Sequence, residues 1–151
     1  MRIEVTTAAF NPIAELAAFE SRNSRSGAVA SFVGRCRFTS DGAEVARLEL
    51  EHYPGFTEAT ISAFATDVSA RMTLQDVTII HRVGAIAPGE PIVLVAVASA
   101  HRAPAFKAAE ELMDFLKTDA PMWKREVTTR GAAWVEPTPA DHRRRASRIA
   151  P

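Results

Sequence analysis

A run of nine residues without a charged side chain, from Ile92 to Ala100, constrains the fold more than any other segment of this chain. A short apolar run that is rich in β-branched residues and follows a turn, here Pro88 to Pro91, predicts a strand. The run ends at His101 and Arg102, and apolar residues between Pro104 and Leu116 then follow a helical pattern. We therefore expect this strand to lead directly into a long helix.

The remaining patterns predict an α+β fold in a single domain. Apolar residues at helical spacing predict a second long helix that includes residues 61–72, and Asn11 before Pro12 predicts the start of a short one. Turn residues 39–42 separate two predicted strands, 28–37 and 45–53, which we expect to pair as a hairpin. Further strands are predicted at 2–6, 76–83, 123–128 and 132–135. This order of elements implies a mainly antiparallel sheet with two long helices and one short helix. We expect the domain to span residues 1–136 and residues 137–151 to form a polar, flexible tail.

The composition predicts a cytoplasmic protein. Hydrophobic residues make up 47% of the chain and the formal net charge is zero, so we expect neither a nucleic-acid nor a membrane partner. A single cysteine, Cys36, excludes an internal disulfide and a cysteine-based metal cluster, which favours a reducing compartment. No window approaches the ~20 apolar residues of a membrane span, and the N-terminus lacks an apolar signal core.

Positive side chains cluster at the predicted element boundaries. The chain has fifteen Arg and only three Lys, and two of these Lys, Lys117 and Lys124, flank the end of the second-half helix. Arg35 and Arg37 are two residues apart near a strand end, so their side chains point to the same face. Arg is suited to bidentate binding of phosphate or of a planar polar ring, whereas an amine is able to give up its proton. These clusters predict an anion-binding pocket.

Less specific interpretations of the same residues stay open at this point. The Arg pair is also typical of a solvated strand edge with surface salt bridges, and a Lys such as Lys117 often interacts with the dipole of a helix C-terminus. His101 and Arg102 are placed to bind an anion at a helix start, although a single His there is often structural. His52 and His81 lie within strand patterns, and we expect packing or hydrogen-bonding roles for both. The residues alone therefore predict a small α+β protein with an anion-binding pocket.

Several stretches of the chain resemble one known family, the large, catalytic subunit of molybdopterin synthase. The resemblance runs from about Gly27 to Glu136, and its most specific part is the order Lys-Thr-x-x-Pro-x-Trp-Lys-Arg-Glu over residues 117–126. Shorter matching stretches are residues 50–55, 80–84, 88–90 and 98–102. The resemblance implies a single domain of the molybdopterin synthase large-subunit type.

The resemblance also implies a reaction and its partners. Enzymes of this family transfer two sulfur atoms to cyclic pyranopterin monophosphate and so form the dithiolene of molybdopterin. The sulfur arrives as a thiocarboxylate on the C-terminal Gly-Gly of a small ubiquitin-like subunit. The family assembles as a central homodimer of large subunits with one small subunit at each end, which makes a heterotetramer. The large subunit carries no cofactor or metal of its own.

The resemblance assigns roles to residues of this chain. Lys117 and Lys124 match the catalytic positions, where a lowered pKa suits a Lys to proton exchange near neutral pH. Substrate binding is expected from Arg35, Cys36, Arg37, His101, Arg102, Arg125 and Glu126, with Cys36 not acting as the sulfur carrier. The alternatives are a non-catalytic scaffold for the small subunit and an anion-binding adaptor for nucleic acid or acidic protein.

Two positions depart from the family pattern. Many relatives have Asn where this chain has Phe38, so we expect the loop from Phe38 to Gly42 to pack differently. Some relatives carry Arg after the Trp-Val-Glu that ends here at Glu136, whereas this chain continues with Pro137 and Thr138. A contribution of this region to a neighbouring active site is therefore not expected. Arg143 to Arg145 are an alternative source of charge, but a solvated tail is the better prediction.

Overall fold

The structure is α+β, as the sequence predicts, and this computed structural model describes residues 1–149, with side chains described as far as Ser147. No helix in the described part of the chain is long and apolar enough to cross a membrane. The helices are α1 (Pro12–Arg22), α2 (Phe56–Met72), α3 (Arg102–Thr118) and α4 (Pro139–Ile149). The strands are β1 (Arg2–Thr6), β2 (Ala28–Arg35), β3 (Thr39–Ser40), β4 (Ala43–His52), β5 (Asp76–Arg82), β6 (Gly84–Ile86), β7 (Pro91–Ser99), β8 (Met122–Thr128) and β9 (Gly131–Val135).

The first sheet is built around the long apolar run. Its strand order is β1-β5-β7-β2, with β7 antiparallel to both of its neighbours and β1 parallel to β5. Every residue of β7 from Val93 to Ser99 is buried, because helices cover both faces of the sheet. Leu112 of α3 packs with Val95 and Val97 on one face, and Phe19 of α1 packs with Ala96 and Ala98 on the other.

The second sheet is built around β4 and contains the last two strands, β8 and β9. Strand β4 pairs with β3, β6 and β8, and β9 extends the sheet beyond β8. The pairing register places Lys124 of β8 opposite Leu50 of β4. A second apolar cluster lies beneath this sheet and includes Leu48, Leu50 and Ile86. Lys124 therefore lies on a strand that pairs with β4, in which Leu48 and Leu50 are buried.

The prediction that residues 28–37 and 45–53 pair as a hairpin is wrong. Strand β2 pairs with β7 in the first sheet, whereas β4 belongs to the second sheet. The local hairpin joins the short strand β3 to β4 through Asp41-Gly42, both at positive φ, as a two-residue hairpin turn requires. Burial of apolar surface favours the pairing with β7, since β7 is covered on both faces.

The expected solvated tail contains helix α4, which packs against α3. Thr138 and Asp141 form a reciprocal cap at its start. The Asp141 backbone N–H donates to Thr138 Oγ1 at 3.2 Å, and the Thr138 backbone N–H donates to Asp141 Oδ2 at 2.9 Å. Pro139 occupies the first helical position, where its missing N–H costs nothing. The prediction of a solvated tail is therefore wrong for this segment, since Asp141 is only 2% exposed.

Candidate active site

An open cavity of about 1030 Å³ lies where the C-terminal half of α3 meets strands β2, β4, β8 and β9. Its floor is apolar and includes Leu50, Val93 and Leu116. Within residues 1–149, no three His, Cys, Asp or Glu side chains are grouped as they would be to hold a metal ion. An apolar concave surface with a few converging polar groups is typical of a small-molecule site. In the described part of the chain, the Arg and Lys side chains that line it are Arg35, Arg37, Lys117 and Lys124.

The Arg pair is held by contacts between the end of β2 and the turn before β7. The Cys36 backbone N–H donates to the Glu90 carbonyl at 3.0 Å, and the Gly89 N–H donates to the Cys36 carbonyl at 2.8 Å. Arg35 Nη1 donates to the Gly89 carbonyl at 3.1 Å. Arg35 and Arg37 both line the cavity, so the structure brings together the pair that their spacing predicts.

Phe38 covers Gly89. A Cβ added at Gly89 would lie 3.0 Å from the Phe38 ring, and the φ of 83° at this position also favours glycine. The ring is nevertheless 68% exposed. Phe38 therefore packs on the turn that positions Arg35.

Lys124 has the environment that the sequence predicts for a proton-exchanging amine. It is half-buried and lines the cavity. Burial lowers the pKa of Lys124 below its ordinary value, and the positive charges of Arg37 and Lys117 lower it further, against the opposing charge of Glu126. An increased fraction of Lys124 is therefore neutral amine near physiological pH.

Lys117 lines the same cavity, and its amine forms an ion pair with Asp141 of helix α4. Its Nζ donates to Asp141 Oδ1 at 2.9 Å. Burial opposes ionisation of Asp141, but hydrogen bonds from Lys117 and Thr138 outweigh it and hold the pKa of Asp141 below its usual range. This partner is not among the residues predicted from the sequence, although Thr-Pro-Ala-Asp over residues 138–141 is a recognisable helix start.

His101 and Arg102 do not join the other predicted substrate-binding residues. Both are exposed at the N-terminal end of α3 and do not line the cavity. Lys117, which does line the cavity, lies at the other end of the same helix. Lys117 lies fifteen positions after Arg102, which corresponds to about 22 Å along the helix axis. Within one chain, the predicted anion-binding groups are therefore divided between two places.

Cys36, Arg125 and Glu126 also lie outside the cavity lining. Cys36 is 4% exposed in the second apolar cluster, and burial raises the pKa of its thiol. Arg125 points away from Lys124, as consecutive strand residues do; it binds Glu49 and lies over the ring of Trp134 at 5.7 Å. The charge of Glu126 raises the pKa of Lys124. Direct substrate contact by these three residues is not supported by the geometry of this chain.

His81 is a cavity residue to which the sequence analysis assigns no function. It lies in the buried part of β5, is 6% exposed, and has Nδ1 at 2.9 Å from the Arg82 carbonyl oxygen. Burial lowers the pKa of His81 to about 4, helped by the charge of Lys124 and opposed by the hydrogen bond to the Arg82 carbonyl. The expected hydrogen-bonding role is confirmed, whereas its place in the cavity depends on how the two sheets come together.

Comparison with known proteins supports the family expected from the residues. The sequence model of the MoaE protein family matches residues 5–119. The molybdopterin synthase catalytic subunit of Yersinia pestis is 48% identical over 141 residues, which are 93% of each chain. The solved molybdopterin biosynthesis MoaE protein of Burkholderia ambifaria MC40-6 has a TM-score of 0.82 at 41% identity over 99% of each chain.

A more distant structure shares the fold. It is a protein–protein complex of subunits 1 and 2 of molybdopterin-converting factor from Helicobacter pylori 26695. The TM-score is 0.74 at 18% identity, over 88% of this chain and 89% of that one. The family match over most of the sequence and the identity to curated members together establish that this chain belongs to the MoaE protein family.

Proposed function

We propose that this chain is the catalytic subunit of a molybdopterin synthase, a sulfurtransferase that acts on cyclic pyranopterin monophosphate. The donor is the C-terminal thiocarboxylate of a small ubiquitin-like subunit. In each of two transfers, the thiocarboxylate sulfur bonds to a substrate carbon and displaces an oxygen from it. Water then cleaves the acyl carbon–sulfur bond, so that the donor leaves as a carboxylate. The observation that carries this proposal is the cavity in which Arg37, Lys117 and Lys124 converge above an apolar floor.

The charges of the cavity suit this substrate and this donor. Arg35 and Arg37 supply N–H donors for a phosphate, and Arg is the side chain best shaped for that contact. The thiocarboxylate and the carboxylate that replaces it are both anions, so cationic groups beside them favour binding and charge development. The apolar floor accommodates the flat pterin ring.

Lys117 and Lys124 are the residues proposed to exchange protons. The lowered pKa of Lys124 supports this role, because a general acid or base is most effective when its pKa lies near the working pH. Lys117 adds a second amine to the same cavity, once its contact with Asp141 is exchanged for substrate or donor.

The small subunit is proposed to insert its Gly-Gly tail into the open side of this cavity. Trp123 and Trp134 line the opening and are 44% and 56% exposed, which provides apolar contacts for a narrow backbone. The Helicobacter pylori complex of two molybdopterin-converting factor subunits supports a two-subunit enzyme. We place the protein in the cytoplasm, where its unpaired Cys36 remains reduced.

We further propose a homodimer in which His101 and Arg102 of one copy reach the cavity of the other. Both residues are exposed, and about 22 Å of helix separates them from Lys117 of their own chain. If they bind the substrate, as the resemblance implies, they do so only from a second copy. A symmetric dimer would then contain two identical composite sites.

Reconstitution tests this function directly. Incubation of the chain with a thiocarboxylated small subunit and cyclic pyranopterin monophosphate should yield molybdopterin. Lys117→Ala should nearly abolish the product without loss of fold or partner binding. Lys117→Arg should fail as well, because guanidinium stays protonated at neutral pH and cannot exchange a proton.

Lys107→Ala is the matched control, since Lys107 is the third lysine of the chain and is exposed on α3, outside the cavity lining. It should keep wild-type turnover. Near-normal turnover by Lys117→Arg would show that charge alone is needed. A wild-type chain that binds the small subunit but forms no product would instead support a non-catalytic scaffold.

A further inference from the structure

We propose that Nε2 of His81 accepts a hydrogen bond from an N–H group of the pterin ring and so orients the substrate; this inference rests on the proposed function. His81 lies at the buried end of β5 and lines the same cavity as Lys124. It is thus a substrate-binding group that neither the family resemblance nor the spacing of the motifs identifies.

The hydrogen bond of the ring determines its tautomer. Nδ1 lies 2.9 Å from the backbone carbonyl oxygen of Arg82, and a carbonyl oxygen only accepts hydrogen bonds. The proton of the neutral ring is therefore on Nδ1. Nε2 is left with a free lone pair, and the Arg82 carbonyl fixes the direction in which that lone pair points.

The free ring nitrogen is open to the cavity. Within residues 1–149, no side chain or backbone group donates to Nε2. Among the side-chain nitrogen and oxygen atoms of the described residues, one atom, Arg82 Nε, is both hidden from solvent and without a hydrogen-bond partner. Nε2, which also has no partner, therefore keeps its access through the cavity that His81 lines.

An acceptor at this position complements the other polar groups. The Arg side chains and the protonated Lys side chains of the cavity only donate hydrogen bonds, so they match the phosphate and the carbonyl oxygen of the substrate. A pterin also carries N–H groups, which need acceptors. Glu136 and His142 also line the cavity with possible acceptors, but both are exposed to solvent, whereas His81 is buried. A hydrogen bond made by His81 is therefore less weakened by water.

His81 is suited to this role because it remains neutral. Burial and the nearby Lys124 both disfavour its protonated form. The ring thus keeps its lone pair on Nε2 at physiological pH, where a protonated imidazole would repel the same N–H donor.

Two substitutions separate the proposed contact from the structural hydrogen bond. The amide of Asn reaches the position of Nδ1 and is able to donate to the Arg82 carbonyl, but it offers no acceptor at the position of Nε2. The amide of Gln reaches the position of Nε2. We expect His81→Asn to bind cyclic pyranopterin monophosphate about tenfold more weakly, the loss of about one hydrogen bond, and His81→Gln to stay within about threefold of wild type.

Nitrogen NMR of the wild-type chain provides a readout that does not depend on any variant. The Nε2 resonance of His81 should have the shift of an unprotonated nitrogen at pH 7 and should move when substrate is added. His52→Asn is the control, because His52 lies outside the cavity lining. It should bind substrate as the wild type does.

The outcomes distinguish this inference from the function on which it rests. Equal substrate affinity of His81→Asn and wild type, or a protonated Nε2, would overturn the role of His81 while the reaction stands. A wild-type chain that binds no substrate and forms no molybdopterin would overturn the proposed function and the inference with it.

Discussion

Asp141 connects the C-terminal helix to a residue that we propose to be catalytic. One oxygen accepts from Lys117 Nζ at 2.9 Å and from Arg144, and the other accepts from the Thr138 hydroxyl at 2.7 Å and from its backbone N–H. The carboxylate is almost fully buried, whereas the Lys117 side chain is 55% exposed. One residue therefore both caps α4 and restrains the amine, so a change at Asp141 should affect both.

Asp141→Asn should release Lys117 and weaken the start of α4. We expect the free energy of unfolding to fall by about 1–2 kcal/mol, as for loss of a helix cap. We expect Lys117 to react faster with an amine-acylating reagent, measured by mass spectrometry of the labelled peptide. Asp119→Asn, which removes a surface partner of Arg145, is the control and should leave the labelling of Lys117 unchanged. Equal labelling in both variants would contradict the restraint.

At the scale of elements, Asp76 joins the start of β5 to the end of α1 and to the N-terminus. Its carboxylate lies 2.9 Å from the N-terminal ammonium group, from Arg22 Nε and from Asn23 Nδ2. Burial opposes its ionisation, but these contacts outweigh it and lower its pKa to about 2. Asp76 thus adds a charged contact to the apolar packing that holds α1 on the first sheet.

Asp76→Asn should lower the free energy of unfolding by about 2–3 kcal/mol near neutral pH, as expected for loss of charge-assisted hydrogen bonds in a partly buried site. Because the folded-state pKa lies below the ordinary 3.8, the unfolded chain binds more protons between these values. The stabilisation is complete above about pH 4 and is lost as the pH falls toward 2. Urea titrations at several pH values should show the wild type approaching the variant in acid.

Asp67→Asn provides the comparison, since Asp67 pairs with Arg71 on the exposed side of α2. Such surface pairs contribute little, so this variant should lie within about 0.5 kcal/mol of wild type. A pH-independent difference between wild type and Asp76→Asn would show that the carboxylate acts through packing rather than charge.

At the scale of the whole molecule, helix α3 spans the distance between two groups of predicted binding residues. Lys117 lies at one end beside the cavity, and His101 and Arg102 lie at the other. The proposed homodimer reunites these groups across its interface. Assembly would then be part of the active site and not only a source of stability.

Mixing inactive variants tests this arrangement. We expect the purified chain to scatter light as a homodimer and to form a two-plus-two complex with the small subunit. Lys117→Ala and His101→Ala copies should each have low activity. After mixing and exchange, about one quarter of the sites should be intact, because half of the dimers are mixed and each of these has one complete site. No recovery would place His101 at the site of its own chain or outside any site.

Removal of the last two residues of the small subunit is a second test of the assembly. Sulfur transfer should be abolished, while association should weaken only partly, because most of the contact area is expected outside the tail. A chain that remains a monomer and forms no complex with a thiocarboxylated small subunit would contradict the assembly.

The sequence by itself determined most elements and their type. The apolar run at 92–100 became β7, helical spacing predicted α2 and α3, and Asn11 before Pro12 begins α1. These features arise from local preferences for a backbone conformation and from the period of the buried positions, which neighbouring residues reveal. The same local signals were present for α4 in Thr138 and Asp141, but the polar composition of the tail obscured them.

Tertiary structure decided which elements and side chains meet. β2 pairs with β7 instead of β4, because distant strands compete to cover the same apolar surface. The residue types and spacing identified Arg37, Lys117 and Lys124, which do converge on the cavity. The separation of His101 from Lys117 follows from the straight path of α3, and the place of His81 follows from the packing of two sheets. Contacts between residues far apart in the chain depend on the whole fold, and no local pattern contains that information.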